Sequence, residues 1–430
     1  MKFALSLSEN QPTYYQLLEN EIQDFIEKNK DKEITQTLLH LPKEYQELRI
    51  EIGNQIKSLQ KSKLKLPLWY NSDKILFPPS LSIEQASSEI TAKYKASLLC
   101  NDDKTDLKNQ TLVDLTGGMG VDSFYFSKKI GKVIYIEQNE LLASLAKHNF
   151  EVLGANNIEV ICAKSEDFLE KAKQENTIFD WIYLDPARRD DVDKKVFLLE
   201  DCQPNMVDLW DFFNKLGKNW LLKTAPLLDI QLVLNRLKNI EKVEVVALQN
   251  ECKEVLYKLS FGSFLKNVQI VAINLHDSFG EKENILRPFV FSLEEEKAIL
   301  IDYSIKNEIE KYLYEPNVAL LKSGAFKSIA KSYELKKLST NTHLYTSQDL
   351  KENFVGKIFK ISEVVSFSKK EIKRKFGKKN FNIVSRNFPM TVKEIRKQFS
   401  ISEGKNEFLF FTTITSNSVD KKVVLRVEKL

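Results

Sequence analysis

The sequence predicts an α/β fold: a parallel sheet with helices on both faces, preceded by a helical region and followed by a smaller α+β module. Three observations carry this. Between residues 111 and 261, short apolar runs alternate with amphipathic stretches, the pattern of strands joined by crossover helices. The first run feeds directly into a glycine-rich turn, TGGMG at 116–120. Beyond residue 320, both the charge and the order of strands and helices change.

In chain order, residues 1 to about 66 read as helices. In LLHLPKEYQELRIEIGNQIKSLQKSKLKL, Leu39, Leu48, Ile52 and Ile56 recur at helical spacing, and the stretch ends in Lys57, Lys61, Lys63 and Lys65. Pro67, Pro78 and Pro79 break the pattern into a linker. A single helix is predicted over 82–99. The strands follow as TLVDL (111–115), KVIYIE (132–137), IEVIC (158–162), DWIYLD (180–185) and NWLLKT (219–224). KVEVVAL (242–248) and VLYKLSF (255–261) are separated by a short turn, which predicts an antiparallel pair at one sheet edge. FVFSL (289–293) and AILIDYS (298–304) read as strands before an acidic helix near Glu308. The last segment mixes strand KIFKISEVVSF, basic helix KKEIKRKFGKK, strand FNIVS, helix TVKEIRKQF, and strands FLFFTTI and KKVVLRVE.

Composition narrows the class. The 430 residues are 43% hydrophobic and 29% charged, an ordinary globular balance rather than a disordered one. Four cysteines, none in a CxxC, and four scattered histidines argue against a zinc site or a disulfide framework. No apolar run reaches the ~20 residues of a membrane span, and the N-terminal run is too short for a signal peptide. A reducing, cytoplasmic compartment is expected. Residues 321–430 hold 24 Lys and Arg against 10 Asp and Glu, a net of +14, while the rest carries −10. A basic end of that kind fits a polyanionic partner, and it equally fits a solvated lysine-rich surface.

The glycine turn is the strongest motif. Gly117, Gly118 and Gly120 follow a strand ending at Asp114, and the next strand ends at Glu137, 23 residues later. Glycines there permit positive φ and close backbone approach, and an acid at that spacing suits a ribose diol. A dinucleotide fingerprint needs a third glycine, but Ser123 stands there, and no Walker lysine follows. Asp114 beside the turn suits a cationic ligand instead. This points to S-adenosyl-L-methionine (SAM), held by Asp114, Thr116, Gly117, Gly118, Gly120 and Glu137. After the third strand, Lys164 occupies the place where an adenine-contacting acid is common, so Asp167 is the candidate there.

The fourth strand ends in Asp185-Pro186, at the edge where α/β sheets bind ligands. Ala187 and Arg188 stand where a base-amine methylase has proline and an aromatic, and no cysteine nucleophile lies beside the motif. Arg188 is a candidate for a phosphate contact or for pairing with the acids that follow. A second arrangement uses Lys95, Asp185, Lys223 and Glu254, which resemble in chain order the Lys-Asp-Lys-Glu tetrad of ribose 2′-O-methyltransferases. There, a lysine of depressed pKa would activate a hydroxyl.

These motifs resemble those of bacterial class I SAM-dependent methyltransferases with a C-terminal THUMP-like domain. The likeness rests on KSKLKLPLW, LSIEQASSEITAKYKA, DLTGGMGVD, YLDPARRD, LLKTAPLLDI, NECKEVLYKL, EPNVALLKSGAFK, NTHLYTSQ and SRNFPMTVKEIRKQF, and it covers most of the chain. It implies a helical region over 1–90, a Rossmann-like class I methyltransferase sheet over 91–275, a ferredoxin-like element over 276–320 and an α+β THUMP-like module over 321–430. It also implies RNA as partner, tRNA or rRNA, with Lys322, Lys327, Lys373, Arg374, Lys375 and Arg386 as phosphate contacts. The expected activity is direct methyl transfer to structured RNA at Asp185, without a metal or membrane. Three other readings stand: a protein or small-molecule methyltransferase, a non-catalytic RNA-binding protein, and a DNA enzyme.

Overall fold

The computed structural model describes residues 12–100, 106–188, 199–261, 267–276, 287–301, 309–416 and 419–430. Internal contacts divide the chain into two compact units. The first comprises residues 1–241, 254–265 and 275–284; the second comprises 242–253, 266–274 and 285–430.

The first unit opens with α1 (Pro12–Gln16), α2 (Asn20–Asn29), α3 (Ile34–Leu39), a 3₁₀ turn at Lys43–Leu48, α4 (Arg49–Lys65) and α5 (Pro67–Tyr70). The expected continuous pattern breaks at Pro42, which cannot continue α3. Ile52, Ile56 and Leu59 form the buried stripe of α4. Gln55 and Ser58 share that stripe and bond to the linker: Gln55 Nε2 donates to the Ile75 carbonyl (2.6 Å) and Ser58 Oγ to that of Pro78 (3.0 Å). The helix expected over 82–99 is two helices, α6 (Ser80–Gln85) and α7 (Glu89–Ser97). Ser88 caps α7 by accepting from the Thr91 amide, which ends one helix and starts the next.

The sheet begins with β1 (Thr111–Asp114), α8 (Val121–Ser127), β2 (Lys132–Glu137), α9 (Glu140–Val152), β3 (Ile158–Cys162), α10 (Ser165–Gln174) and β4 (Phe179–Leu184). A two-residue pair follows, β5 (Ala187–Arg188) with β6 (Cys202–Gln203), then α11 (Met206–Phe213), β7 (Gly217–Thr224), α12 (Ile230–Arg236), β8 (Ile240–Leu248), β9 (Glu251–Ser260), β10 (Gln269–Leu275), β11 (Phe289–Ser292) and α13 (Leu293–Ala298). The nine-stranded order is β11-β10-β8-β9-β7-β4-β1-β2-β3. β1 pairs in parallel with both β2 and β4, so strand order reverses there and the carboxyl ends of β1 and β4 form the switch point. Against expectation, β8 and β9 do not close an edge, because β10 and β11 lie beyond β8. Residues 298–304 are not a strand as far as described: Ala298 ends α13, and residues 302–308, with the helix expected near Glu308, lie outside the described residues.

The second unit continues with β12 (Tyr312–Pro316), α14 (Val318–Ser323), α15 (Phe326–Ser332), β13 (Lys336–Ser339), β14 (Thr342–Ser347), β15 (Gly356–Ser366), α16 (Lys369–Phe376), β16 (Asn382–Arg386), α17 (Val392–Phe399), β17 (Glu407–Ser416) and β18 (Val419–Lys429). These strands form one seven-stranded sheet, β13-β14-β12-β15-β18-β17-β16, in which β18 lies between β15 and β17. Strand alternation splits its core into two layers. Leu409, Phe411 and Val424 pack with Ile372, Phe376, Ile395 and Phe399 of α16 and α17. Phe410, Leu425 and Val427 face the other way, onto Leu313, Leu338 and Leu344. Phe388 packs against the first layer. The boundary expected at 320/321 falls inside α14.

Candidate active site

The glycine turn is held from both sides. Asp114 is buried at the end of β1; its Oδ1 accepts from the Thr116 amide (3.0 Å) and its Oδ2 from the Ser123 hydroxyl (2.6 Å). Burial pushes its carboxyl up to about 7. Both oxygens thus serve the turn itself. Gly117 is required by space, since a Cβ there would lie 2.2 Å from the Tyr135 ring. Gly118 and Gly120 are at φ of 53° and 85°. The Gly118 amide donates to Glu137 Oε2 (2.8 Å), so the two halves of the expected ribose site meet. The other Glu137 oxygen accepts from the Asn139 amide (2.8 Å). A Cβ on Gly118 would meet only the Thr116 carbonyl, at 3.8 Å, so the turn is open on that side.

Thr116 links the turn to β4. Its hydroxyl accepts from the backbone amide of Asp185 (2.7 Å). β4 and β7 run in register, Leu184 opposite Leu222, which brings Asp185 and Lys223 side by side as an ion pair. Burial pulls the Lys223 ammonium down, but the carboxylates of Asp185, Glu254 and Asp122 outweigh it and hold it well above the ordinary lysine value. A depressed pKa is therefore not found at Lys223, where the surrounding carboxylates favour the charged form. Pro186 and Ala187 follow Asp185. The backbone of Arg188 pairs with Cys202 in β5–β6, while its side chain and residues 189–198 lie outside the described residues.

The four tetrad residues do converge, but in two layers. Lys95 is 0% exposed and Glu254 2%, whereas the Asp185 side chain is 30% exposed. Lys95 Nζ donates to both Glu254 oxygens (3.1 and 2.8 Å) and to the Ser87 hydroxyl (2.8 Å), and lies 3.2 Å from Asp122 Oδ1. Asp122 Oδ2 accepts from Ser87 (2.9 Å) and from the Tyr183 hydroxyl (2.8 Å). Burial pushes Glu254 up. Burial opposes ionisation of Asp122 too, but Lys95 and Lys223 override it and its carboxyl lies below the usual value. Lys95 and Glu254 are therefore buried, whereas Asp185 is partly exposed. Sequence reading missed Asp122, Ser87 and Tyr183. Asp122 was visible as the acid closing DLTGGMGVD, and Ser87 stands in the break that the single-helix reading smoothed over.

Asp167 is exposed on the first turn of α10. The buried neighbour Ser165 is the group directed at the turn, donating to the Leu115 carbonyl (2.6 Å).

The basic candidates of the second unit are only partly available. Lys327 Nζ donates to the carbonyls of Ile299 (3.0 Å) and Lys297 (3.3 Å). Arg374 pairs with Glu371 (3.0 Å) and Lys375 with Glu363. Arg386 holds the buried Glu315 at 2.8 and 3.0 Å, linking β16 to β12 across a curled sheet. Lys322 is half-buried on α14. Gly324, at φ 79°, caps that helix. Lys369, Lys370 and Lys373 are exposed on α16. Among the described residues, no helix is long and apolar enough to cross a membrane, and no group of three or more His, Cys, Asp or Glu could hold a metal.

Comparison with known proteins agrees with this geometry. The family "Conserved hypothetical protein 95" matches residues 92–203, a ferredoxin-like domain matches 312–354, and a THUMP-like domain matches 356–429. No curated protein matches the chain. The crystal structure named "putative methyltransferase from Porphyromonas gingivalis W83" shares 31% identity over 99% of this chain and 100% of that one, with a TM-score of 0.82. Partial likenesses include a SAM-dependent methyltransferase from Agrobacterium tumefaciens (19% identity, 32% and 44% covered, TM-score 0.25). Another is SMU.776, a "putative methyltransferase complexed with SAH" (13% identity, 41% and 51% covered, TM-score 0.32). With the switch-point turn of β1, the acid of β2 and the full-length likeness in place, the chain belongs to the class I SAM-dependent methyltransferases that carry ferredoxin-like and THUMP-like domains.

Proposed function

We propose that this methyltransferase acts on structured RNA, tRNA or rRNA, and that the methyl acceptor is positioned at Asp185. The observation that carries the reading is the meeting of Asp185 with the glycine turn through Thr116, in a chain that also bears a THUMP-like domain with a net basic charge. The cofactor supplies a methyl group on a sulfonium. The residues present fit it: an open glycine turn, Glu137 for a ribose diol, and buried carboxylates in excess of ammonium groups.

Asp185 accepts the hydrogen of the acceptor's N–H or O–H and so orients its lone pair for in-line attack. Lys223 pairs with that carboxylate. The Thr116 hydroxyl fixes the backbone, so Asp185 sits at one place relative to the turn. Exposed cations on α16 supply phosphate contacts that carry affinity rather than sequence choice.

The test incubates purified protein and SAM bearing a labelled methyl group with total RNA from a strain lacking the gene, followed by nucleoside analysis. A labelled nucleoside in one RNA species is expected. Label confined to protein, or to small molecules, would refute an RNA acceptor. A deletion from residue 321 is unsuited to this question, because β12 pairs with β15 over Tyr312–Pro316 and would lose its partner.

A further inference from the structure

Asp122 does something that the tetrad comparison does not ask of it. It follows Gly120 by two residues, on the first turn of α8, so it is covalently close to the cofactor turn. It is also the junction of the sealed layer. Its oxygens meet Lys95 of α7, Ser87 of the α6–α7 break and Tyr183 of β4. Tyr183 lies opposite Asp114 in the β1–β4 register and two residues before Asp185.

The charges of this cluster do not cancel. Asp122, Glu254 and Asp185 face two ammonium groups, Lys95 and Lys223. Both Glu254 oxygens accept from Lys95, the geometry of an ionised carboxylate. One negative charge is left over: Asp185 and Lys223 pair at the partly exposed edge, while Asp122 and Glu254 share the single buried ammonium of Lys95, where screening is weak. The same carboxylates act on Asp114: the charges of Asp122 and Asp185 add to burial in pushing its carboxyl up. Such a field acts differently on the two forms of the cofactor. Before transfer, the sulfur is a sulfonium and carries a positive charge; afterwards it is a neutral thioether, the positive charge having left with the methyl group and been neutralised by loss of the acceptor's proton.

We infer that Asp122 is a specificity-determining residue of the cofactor site, which through the Lys95–Glu254 layer makes the site prefer SAM over its demethylated product, S-adenosylhomocysteine. The preference favours reloading after each turnover. It rests on the assignment of SAM to the glycine turn, and it is independent of what the methyl acceptor is.

The test needs no acceptor. Calorimetry gives Kd for SAM and for S-adenosylhomocysteine with the full chain and with Asp122→Asn, which keeps the side chain's shape and an acceptor for Tyr183. Asp122→Asn removes the surplus charge, so SAM binding should weaken on the order of tenfold while product binding changes little. Glu254→Gln removes one negative charge at a second position and should shift the ratio in the same direction, which keeps the inference testable if Asp122→Asn does not fold. Equal weakening of both ligands would mean a purely structural role and overturn the inference, as would an unchanged ratio in a folded variant. Wild-type protein that binds neither ligand would overturn the cofactor assignment itself, and the inference with it.

Discussion

Asp114 is a carboxyl group buried at the end of a strand, with its pKa pushed up to about 7 from an ordinary 3.8. That difference corresponds to about 4 kcal/mol of linkage. The sign follows from proton counting. Between the two values the folded chain keeps a proton on Asp114 that the unfolded chain has lost, so stability falls as pH rises through this window. Below 3.8 the penalty is absent; above about 7 it is fully expressed. Asp114→Asn keeps the shape and removes the titration. The variant should therefore match wild type near pH 4 and gain on it as pH rises, reaching an advantage of about 10 °C in Tm at pH 8, at roughly 2–4 °C per kcal/mol for a unit of this size. Differential scanning fluorimetry of both proteins at half-unit pH steps reads this, and the difference between them isolates Asp114 from Glu254 and Asp122. The same substitution should weaken SAM binding at pH 8, because it removes a further negative charge beside the glycine turn. A melting difference independent of pH would refute the reasoning.

Other outcomes follow from the same contacts. Gly117→Ala should weaken SAM binding at least tenfold by calorimetry, because its Cβ would lie 2.2 Å from the Tyr135 ring; Gly154→Ala, at φ 66° with nothing within 4 Å, should cost only about 1–2 kcal/mol of backbone strain and leave SAM binding intact. Replacing Lys369, Lys370 and Lys373 together by alanine should lower the slope of log Kd against log salt for RNA by about two to three, measured by fluorescence anisotropy, with SAM binding unchanged. Arg386→Ala leaves the buried Glu315 without its guanidinium and should destabilise the second unit by about 2–4 kcal/mol in urea titration.

Strand positions from 111 to 224 are legible in the sequence because parallel strands covered on both faces read as near-continuous apolar runs. The glycine turn and Glu137 are legible because conformation and spacing constrain them locally. What escapes is what tertiary packing decides. Lys93 and Lys95 look alike in sequence; yet Lys93 pairs with Glu89 near the surface while Lys95 turns inward. Lys95 and Glu254 are buried while Asp185 is partly exposed, and chain order carries no depth. Arg386 reads as a free cation until the curl of the sheet brings Glu315 to it. Ser88 capping α7 was readable as a serine before glutamate, but the apolar spacing on either side of it masks the break.

The interior place of β18 makes the module depend on one strand. Its eleven residues, Val419–Lys429, lie between β15 and β17, so neither completes its pairing without it. A chain truncated before Val419 would expose two long strand edges, of eleven and ten residues, each a template for aggregation. Copies cut short there should be found in inclusion bodies or cleared by proteases.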